Sequence, residues 1–249
     1  MARRLLDALI VGPALVVAAP FLAVAAIGIR LASPGPILFR ATRVGLRGRL
    51  FTMYKLRTMH VAQGRYTSAI TAHRDPRIFP WGAWLRWSKI DELPQLFNVL
   101  RGDMSLVGPR PEVPGIVRQH YTRSQWETLK VRPGLASPGS IYNYTHGQAL
   151  LAPDDPERHY VERLLSLKLA LDLVYVRRAS WRYDVRLMAR TLWVVAGTLL
   201  GRRRFADPPE MAAARALVRE DPEARERPAR DPGMAPPPSP PDRVVSGVE

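Results

Sequence analysis

Twenty-two consecutive residues, Ala8 to Ile29 ("ALIVGPALVVAAPFLAVAAIGI"), carry no charge. As a helix, a stretch of that length reaches across the hydrocarbon core of a bilayer. The chain must therefore commit an apolar helix to lipid or to its own core. Pro13 and Pro20 interrupt it, and each interior proline removes a backbone hydrogen bond and predicts a kink. Arg3 and Arg4 precede the stretch, and Arg30, Arg40, Arg43 and Arg47 follow it. A crossing helix concentrates positive charge on its cytoplasmic side. Basic residues at both ends favour a bent, re-entrant helix that enters and leaves by one face. A secretory signal is the plainer alternative, but the apolar stretch is long for one and the chain after it is strongly basic.

The charge is unevenly spread. Of a net +15, residues 1–205 hold 31 Lys+Arg against 13 Asp+Glu, and residues 206–249 hold 6 against 9. A basic body selects polyanions as partners: nucleic acid, an anionic membrane surface or phosphorylated substrates. With no cysteine, disulfides, thiolate zinc sites and a cysteine nucleophile are excluded. Ten of the 24 prolines lie in 206–249, a segment with too few large apolar residues to offset its ordering entropy. It is expected to be disordered, with at most a transient helix over 210–221. The expected division is an anchor at 1–32, a catalytic body at 33–205 and a proline-rich tail at 206–249.

Within the body, Ile37–Arg40 and Leu50–Leu56 read as short strands around a glycine-containing turn. Lys55 and Arg57, two apart, are expected on one strand face. Residues 61–77 read as a polar exposed loop. Near the end of the body, "WRYDVRLMARTLWVVAGTLLGRRRF" (181–205) places Val185, Met188, Leu192 and Val195 near helical spacing, with Arg182, Arg186 and Arg190 on another face. Its uncharged run is too short to span. It reads equally as a helix in the headgroup region or as one packed on the core.

The segment "IDELPQLFNVLRGDMSLVGPRPE" (90–112) carries the chemistry. Leu93, Leu96, Phe97 and Leu100 repeat at i, i+3, i+4, i+7, and Gly102 is a natural stop. Pro94 belongs in the first turn, which sets the helix start close to Asp91. Asp91 and Glu92 then sit at the positive end of a helix dipole, beside an anion pocket. By itself such a pair is commonly a cap. Arg86 before it and Arg110, held between Pro109 and Pro111, suggest more. A carboxylate so placed could attack phosphorus while cations screen the phosphate oxygens.

These residues bear a family resemblance. The chain resembles the bacterial sugar transferase family, the small monotopic phosphoglycosyl transferases that begin lipid-linked glycan assembly, over nearly all of residues 1–200. "RRLLD" (3–7), Ala19-Pro20, "SPGPILFRATRVGLRGRLFTMYKLRTM" (33–59), "DELPQLFNVLRGDMSLVGPRPE" (91–112) and "VRPGL" (131–135) carry it. The resemblance implies an α+β, mostly helical fold: a monotopic membrane protein with a re-entrant helix, interfacial amphipathic helices and a small cytosolic catalytic domain. It implies that Asp91 attacks the β-phosphate of a UDP-sugar, releasing UMP, and that undecaprenyl phosphate then accepts the sugar-phosphate. Glu92 is implied as its dyad partner, the two acids together as ligands of Mg²⁺, and Arg86, Arg110, Arg132, Lys55 and Arg57 as phosphate contacts. The implied setting is the cytosolic face of a bacterial inner membrane, in exopolysaccharide, O-antigen, capsule or glycoprotein assembly. The implied partners are the lipid bilayer and, further on, downstream glycosyltransferases, with no nucleic acid. The chain departs from the commoner family pattern over 136–160, so the sugar stays open. Two other readings remain: a membrane-bound glycosyltransferase releasing UDP, and a non-enzymatic basic protein binding membrane surfaces.

Overall fold

The computed structural model describes residues 2–60, 70, 75–151 and 155–225. It is mostly helical, with two small two-stranded sheets. Helix α1 (Ala2–Ala32) stays helical through both Pro13 and Pro20. Its buried residues Val11, Ala18, Ala25 and Ile29 are spaced seven, seven and four apart, which makes one narrow stripe along the helix. That stripe packs on the body, while Leu9, Val16, Phe21, Val24 and Ile27 stay exposed. Among the described residues, α1 is the one helix long and apolar enough to cross a membrane.

Both ends of α1 bond to the same body. At its start Arg3 pairs with Asp184, Arg4 donates to the Arg101 carbonyl, and Asp7 accepts from the Ser105 hydroxyl at 2.6 Å. Just past its end, Ser33 meets His60 and Arg57. Between them Gly28 lets the indole of Trp81 lie against the helix backbone; a Cβ there would sit 2.2 Å from Trp81 Nε1.

Strand β1 (Leu38–Val44) pairs antiparallel with β2 (Leu50–Leu56), so the first strand runs four residues further than its sequence suggests. Helix α2 (Pro80–Ser88), a 3₁₀ turn over Ile90–Glu92 and α3 (Gln95–Arg101) follow. Next come β3 (Ser105–Val107), α4 (Pro114–His120) and β4 (Gly134–Ala136), the last parallel to β3. Helix α5 (Pro138–Thr145) and a short α6 (Pro156–His159) lead through a π-helical segment, Tyr160–Leu165, into α7 (Ser166–Arg178). Helix α8 (Trp181–Leu199) is followed by α9 (Met211–Glu220) and α10 (Pro222–Arg225). The centre is α7, which is buried from Lys168 to Tyr175, Lys168 and Asp172 included.

Several expectations change. Helix α3 begins at Gln95, with Asp91 and Glu92 in the 3₁₀ turn before it and Pro94 as its helical N-cap. Gly102 stops it with φ 84°. The apolar period does not mark its inner face: Leu96 and Val99 are buried with Gln95 and Asn98, whereas Phe97 is 51 % exposed and Leu100 is also exposed. Helix α8 packs on the body through the buried Leu187 and Val194 and leaves Trp181, Val185 and Leu192 exposed. Arg190 is taken out of the expected arginine face by Glu210, which accepts three hydrogen bonds from it.

The expectation of a disordered segment from residue 206 needs correction over its first part. Helix α9 packs Ala214 and Leu217 against Ala170, Leu171 and Val174 of α7. Beyond it, Asp221 accepts from Thr122 and Ser124. The apolar face of α9 is short, but a partner helix completes it. The proline-rich residues 226–249, and most of the 61–77 loop, lie outside the described residues.

Candidate active site

A cavity of about 530 Å³ opens beside the acid pair. Three local features build its wall. The buried Asn98 amide donates to the Thr52 carbonyl at 2.7 Å and accepts from the Tyr54 N–H at 3.1 Å, bonding to the free edge of β2 as a strand would. This locks α3 to β2 and brings Lys55 opposite Glu92. The Arg110 segment is pinned on both sides: Gly108 N–H and Pro109 C=O bond to β4, and the Glu112 carbonyl accepts from Val44. Lys89, between α2 and the acid pair, adopts φ 62° and ψ 11°, a left-handed conformation uncommon for a side-chain-bearing residue.

Glu92 Oε1 accepts from Arg110 Nη2 at 2.6 Å and from Lys55 Nζ at 3.3 Å. Asp91 is 6 % exposed, and its Oδ1 is buried with no hydrogen-bond partner among the described residues. The two acids are electrostatically unequal. Burial, reinforced by the charge of Glu92, pushes Asp91 above the usual aspartate range. Burial also opposes ionisation of Glu92, but Arg110, Lys55 and Lys89 outweigh it and hold that carboxyl well below its ordinary value. The result is one firmly ionised acid beside one whose charge is poorly stabilised, a division typical of acids with different chemical tasks.

Six cations line the cavity: Arg43, Lys55, Arg86, Lys89, Arg110 and Lys168. Against them stand Glu92 and Glu112. Glu112 is buried and bonded to Lys168 and to the Tyr160 hydroxyl, and these two, with Arg43, hold its carboxyl below the ordinary value against the cost of burial. Such a wall suits an anionic ligand of high charge density. Ser140, Asn143, Tyr144 and Tyr160, from the divergent stretch 136–160, supply neutral hydrogen-bonding groups to the lining.

Of the residues expected from sequence, Lys55, Arg86, Glu92 and Arg110 line this cavity, with Asp91 buried in the same turn. Two go elsewhere. Arg57 is 5 % exposed and spends its guanidinium on Pro36 O, Ser33 Oγ and Ser33 O, locking the chain where it leaves α1. It lies one residue past β2, so the shared face expected with Lys55 is lost. Arg132 donates to the Gly102 carbonyl at 3.0 Å, closing the C-terminus of α3. Sequence reasoning missed Arg43, Lys89 and Lys168 as cavity residues. In the sequence Arg43 reads only as flanking charge, and Lys168 falls in a helix whose period gives no sign of a buried lysine. Lys89 lies two residues before Asp91, a signal present in the sequence itself.

Among the described residues no group of three or more His, Cys, Asp or Glu gathers. The acid pair, with a buried partnerless oxygen on Asp91, still fits Mg²⁺, which is commonly held by one or two carboxylates and completed by substrate phosphates and water.

A family model described as bacterial sugar transferase matches residues 1–198. The chain is 38 % identical over 194 residues to a UDP-glucose:undecaprenyl-phosphate glucose-1-phosphate transferase of Caulobacter vibrioides, covering 76 % of this chain and 68 % of that protein. It is 35 % identical to a protein of the same name from Xanthomonas campestris, over 79 % of this chain and 39 % of that one. It is 33 % identical to a UDP-N-acetylgalactosamine-undecaprenyl-phosphate N-acetylgalactosaminephosphotransferase of Aeromonas hydrophila, over 76 % and 42 %. The chain thus spans about two thirds of the first relative and about two fifths of the other two.

Proposed function

The chain belongs to the bacterial sugar transferase family, and on that premise we propose that it moves a sugar 1-phosphate from a UDP-sugar to undecaprenyl phosphate. The observation that carries this reading is the cavity, where six cations face an acid pair of unequal charge stability. The names of the relatives support both substrates. They differ in the sugar, which stays unassigned.

The reaction has two balanced displacements. An oxygen of the Asp91 carboxylate attacks the β-phosphorus, and the bond from that phosphorus to the bridging oxygen breaks. UMP leaves with the bridging oxygen and its electron pair, and the sugar-phosphate is held as a mixed anhydride on Asp91. A phosphate oxygen of the polyprenyl phosphate then attacks the same phosphorus and returns Asp91 as a carboxylate. Burial keeps the Asp91 charge weakly solvated and so more reactive. Glu92, fixed by Arg110 and Lys55, steadies the turn, while Arg86 and Arg110 offer N–H groups to the phosphate oxygens. Mg²⁺, held by Asp91 and Glu92, would neutralise phosphate charge during both displacements.

The exposed apolar faces of α1 and α8 support a seat on the bilayer, where the acceptor resides. Ends of α1 bonded to one body support a one-sided attachment to the cytosolic face of the inner membrane, where the product would pass to further glycosyltransferases. The deciding experiment mixes the purified protein with UDP-sugar and Mg²⁺ and identifies the nucleotide released. UMP, with a sugar-phosphate adduct on the Asp91 peptide by mass spectrometry, is the expected result. Release of UDP would overturn the reading in favour of transfer at the sugar carbon.

A further inference from the structure

The acid pair is preceded by a lysine in a conformation that suits glycine. Lys89 has φ 62° and is one of two positive-φ residues, glycine aside, among the described residues. Its backbone has two duties: its N–H closes α2 on the Arg86 carbonyl, and its carbonyl accepts from Glu92 to begin the acid turn. Any residue able to take a left-handed C-cap could perform both, and glycine would do so without the strain of a Cβ. The backbone therefore gives no reason for a lysine.

The side chain supplies the reason. Lys89 lines the cavity, and its ammonium sits 4.0 Å from the centre of the Tyr144 ring. Among the described residues no carboxylate lies within ion-pair distance of it; Glu92 is taken by Lys55 and Arg110. A ring face attracts a cation and orients it but accepts none of its three N–H bonds in the way an oxygen does. An ammonium with unspent donors, on the cavity wall beside the nucleophile turn, calls for an oxyanion. Strain held at one residue beside reacting groups is a recognised mark of function.

We propose that Lys89 binds the diphosphate of the nucleoside diphosphate sugar, and that Tyr144 is the positioning residue that aims it. The proposal rests on the reading of the site given above. It adds a phosphate ligand from the α2–α3 turn and ties that ligand to α5, in the stretch where this chain departs from the commoner pattern. When substrate enters, the ammonium exchanges none of its existing salt bridges, so its binding contribution is not spent on breaking one.

The test uses the full-length protein in detergent with Mg²⁺ and titrates uridine diphosphate by calorimetry, beside melting curves. Lys89→Gly keeps the backbone duties and relieves the strain. It is expected to melt at or above the wild-type temperature while its Kd for uridine diphosphate rises roughly tenfold or more, as loss of a charge-assisted bond predicts. Lys89→Arg is expected to recover most of the affinity, and Tyr144→Leu to weaken binding less than Lys89→Gly does. Wild-type affinity in Lys89→Gly overturns the proposal, as does a drop in melting temperature that accounts for the lost binding. Failure of the wild-type protein to bind uridine diphosphate at all overturns the functional reading itself, and the two failures are distinguishable.

Discussion

Arg110 Nη2 and Lys55 Nζ converge on a single oxygen, Glu92 Oε1, at 2.6 and 3.3 Å. Arg110 approaches from a segment stiffened by Pro109 and Pro111, whose rings fix the backbone and restrict the residue between them. A lysine cannot reproduce the planar fork that serves Glu92 and still offers N–H groups to a phosphate. Arg110→Lys should lower kcat/KM by about 10- to 150-fold, the equivalent of roughly 1.5–3 kcal/mol for one charge-assisted bond. Melting should change little. Wild-type kinetics in this variant would leave Arg110 a structural brace.

The unequal acids predict a pH profile. Asp91 must be ionised to attack, and burial raises its pKa. Activity should therefore fall as pH drops through that raised value, above the pH at which an ordinary aspartate of pKa 3.8 titrates. Glu92 stays ionised to lower pH, so one acid limb is expected rather than two. Asp91→Asn should abolish both turnover and the adduct, and should melt no lower than wild type because it removes a buried charge. A limb centred at or below the ordinary aspartate value would remove Asp91 from the nucleophile role.

How much of this was legible in the sequence depends on distance along the chain. Gly102 was readable as a helix stop because a C-cap is a local event. The stiffness of Arg110 was readable because proline acts on its neighbours. The convergence on Glu92 joins residues 37 and 18 positions apart, and no spacing rule reports such a contact. Arg57 shows the opposite limit: its charge looked available, but the turn after α1 takes one bond from each of its three nitrogens. Phe97 and Leu100 keep a core-like period and still face outward, because Asn98, by bonding to Thr52 and Tyr54 of β2, sets which face of α3 turns inward. Helix α9 was invisible as a stable element because α7 completes its apolar face.

Asp172 predicts a change in stability. Burial pushes its carboxyl up to about 6, although Gly139 N–H donates to it at 2.8 Å. Between pH 3.8 and about 6 the folded chain holds a proton that the unfolded chain has lost, so stability falls as pH rises through that window. Above it the cost is constant. Asp172→Asn keeps an acceptor for Gly139 and removes the charge. It should raise stability by about 2–3 kcal/mol at most above pH 6, with the gain disappearing towards pH 4. Denaturant midpoints at the two pH values check it, and a gain that does not vary with pH would overturn it.

Glu210 joins the segment beyond α8 to the catalytic body. It is buried, accepts from the Tyr183 hydroxyl at 2.6 Å and bonds Arg190 three times. Removing it leaves Arg190 partly buried without its carboxylate. Glu210→Ala should destabilise the protein by about 1–3 kcal/mol, and Arg190→Ala added to it should cost much less than it does alone. Additive losses in that double-mutant cycle would show the pair to be uncoupled.

The attachment of α1 gives the last prediction. Arg3, Arg4 and Asp7 bond to Asp184, Arg101 and Ser105, while Ser33, beyond the other end, bonds to Arg57. A helix that crossed the bilayer would hold its two ends on opposite sides of about 30 Å of hydrocarbon. One body bonded to both ends would then have to reach through that layer, carrying Arg57 and the cationic cavity into lipid at great cost. A helix with both ends on one face would avoid this and would still offer the exposed Leu9, Val16, Phe21, Val24 and Ile27 to a bilayer. The chain has no cysteine of its own, so single cysteines at Ala2→Cys and Pro34→Cys report each end cleanly. Neither should react with an impermeant reagent in intact spheroplasts, and both should react once the membrane is opened. Labelling of the Ala2→Cys variant alone from outside would make α1 a span, and would also require the bonds of Arg3, Arg4 and Asp7 to be broken in the membrane-bound protein.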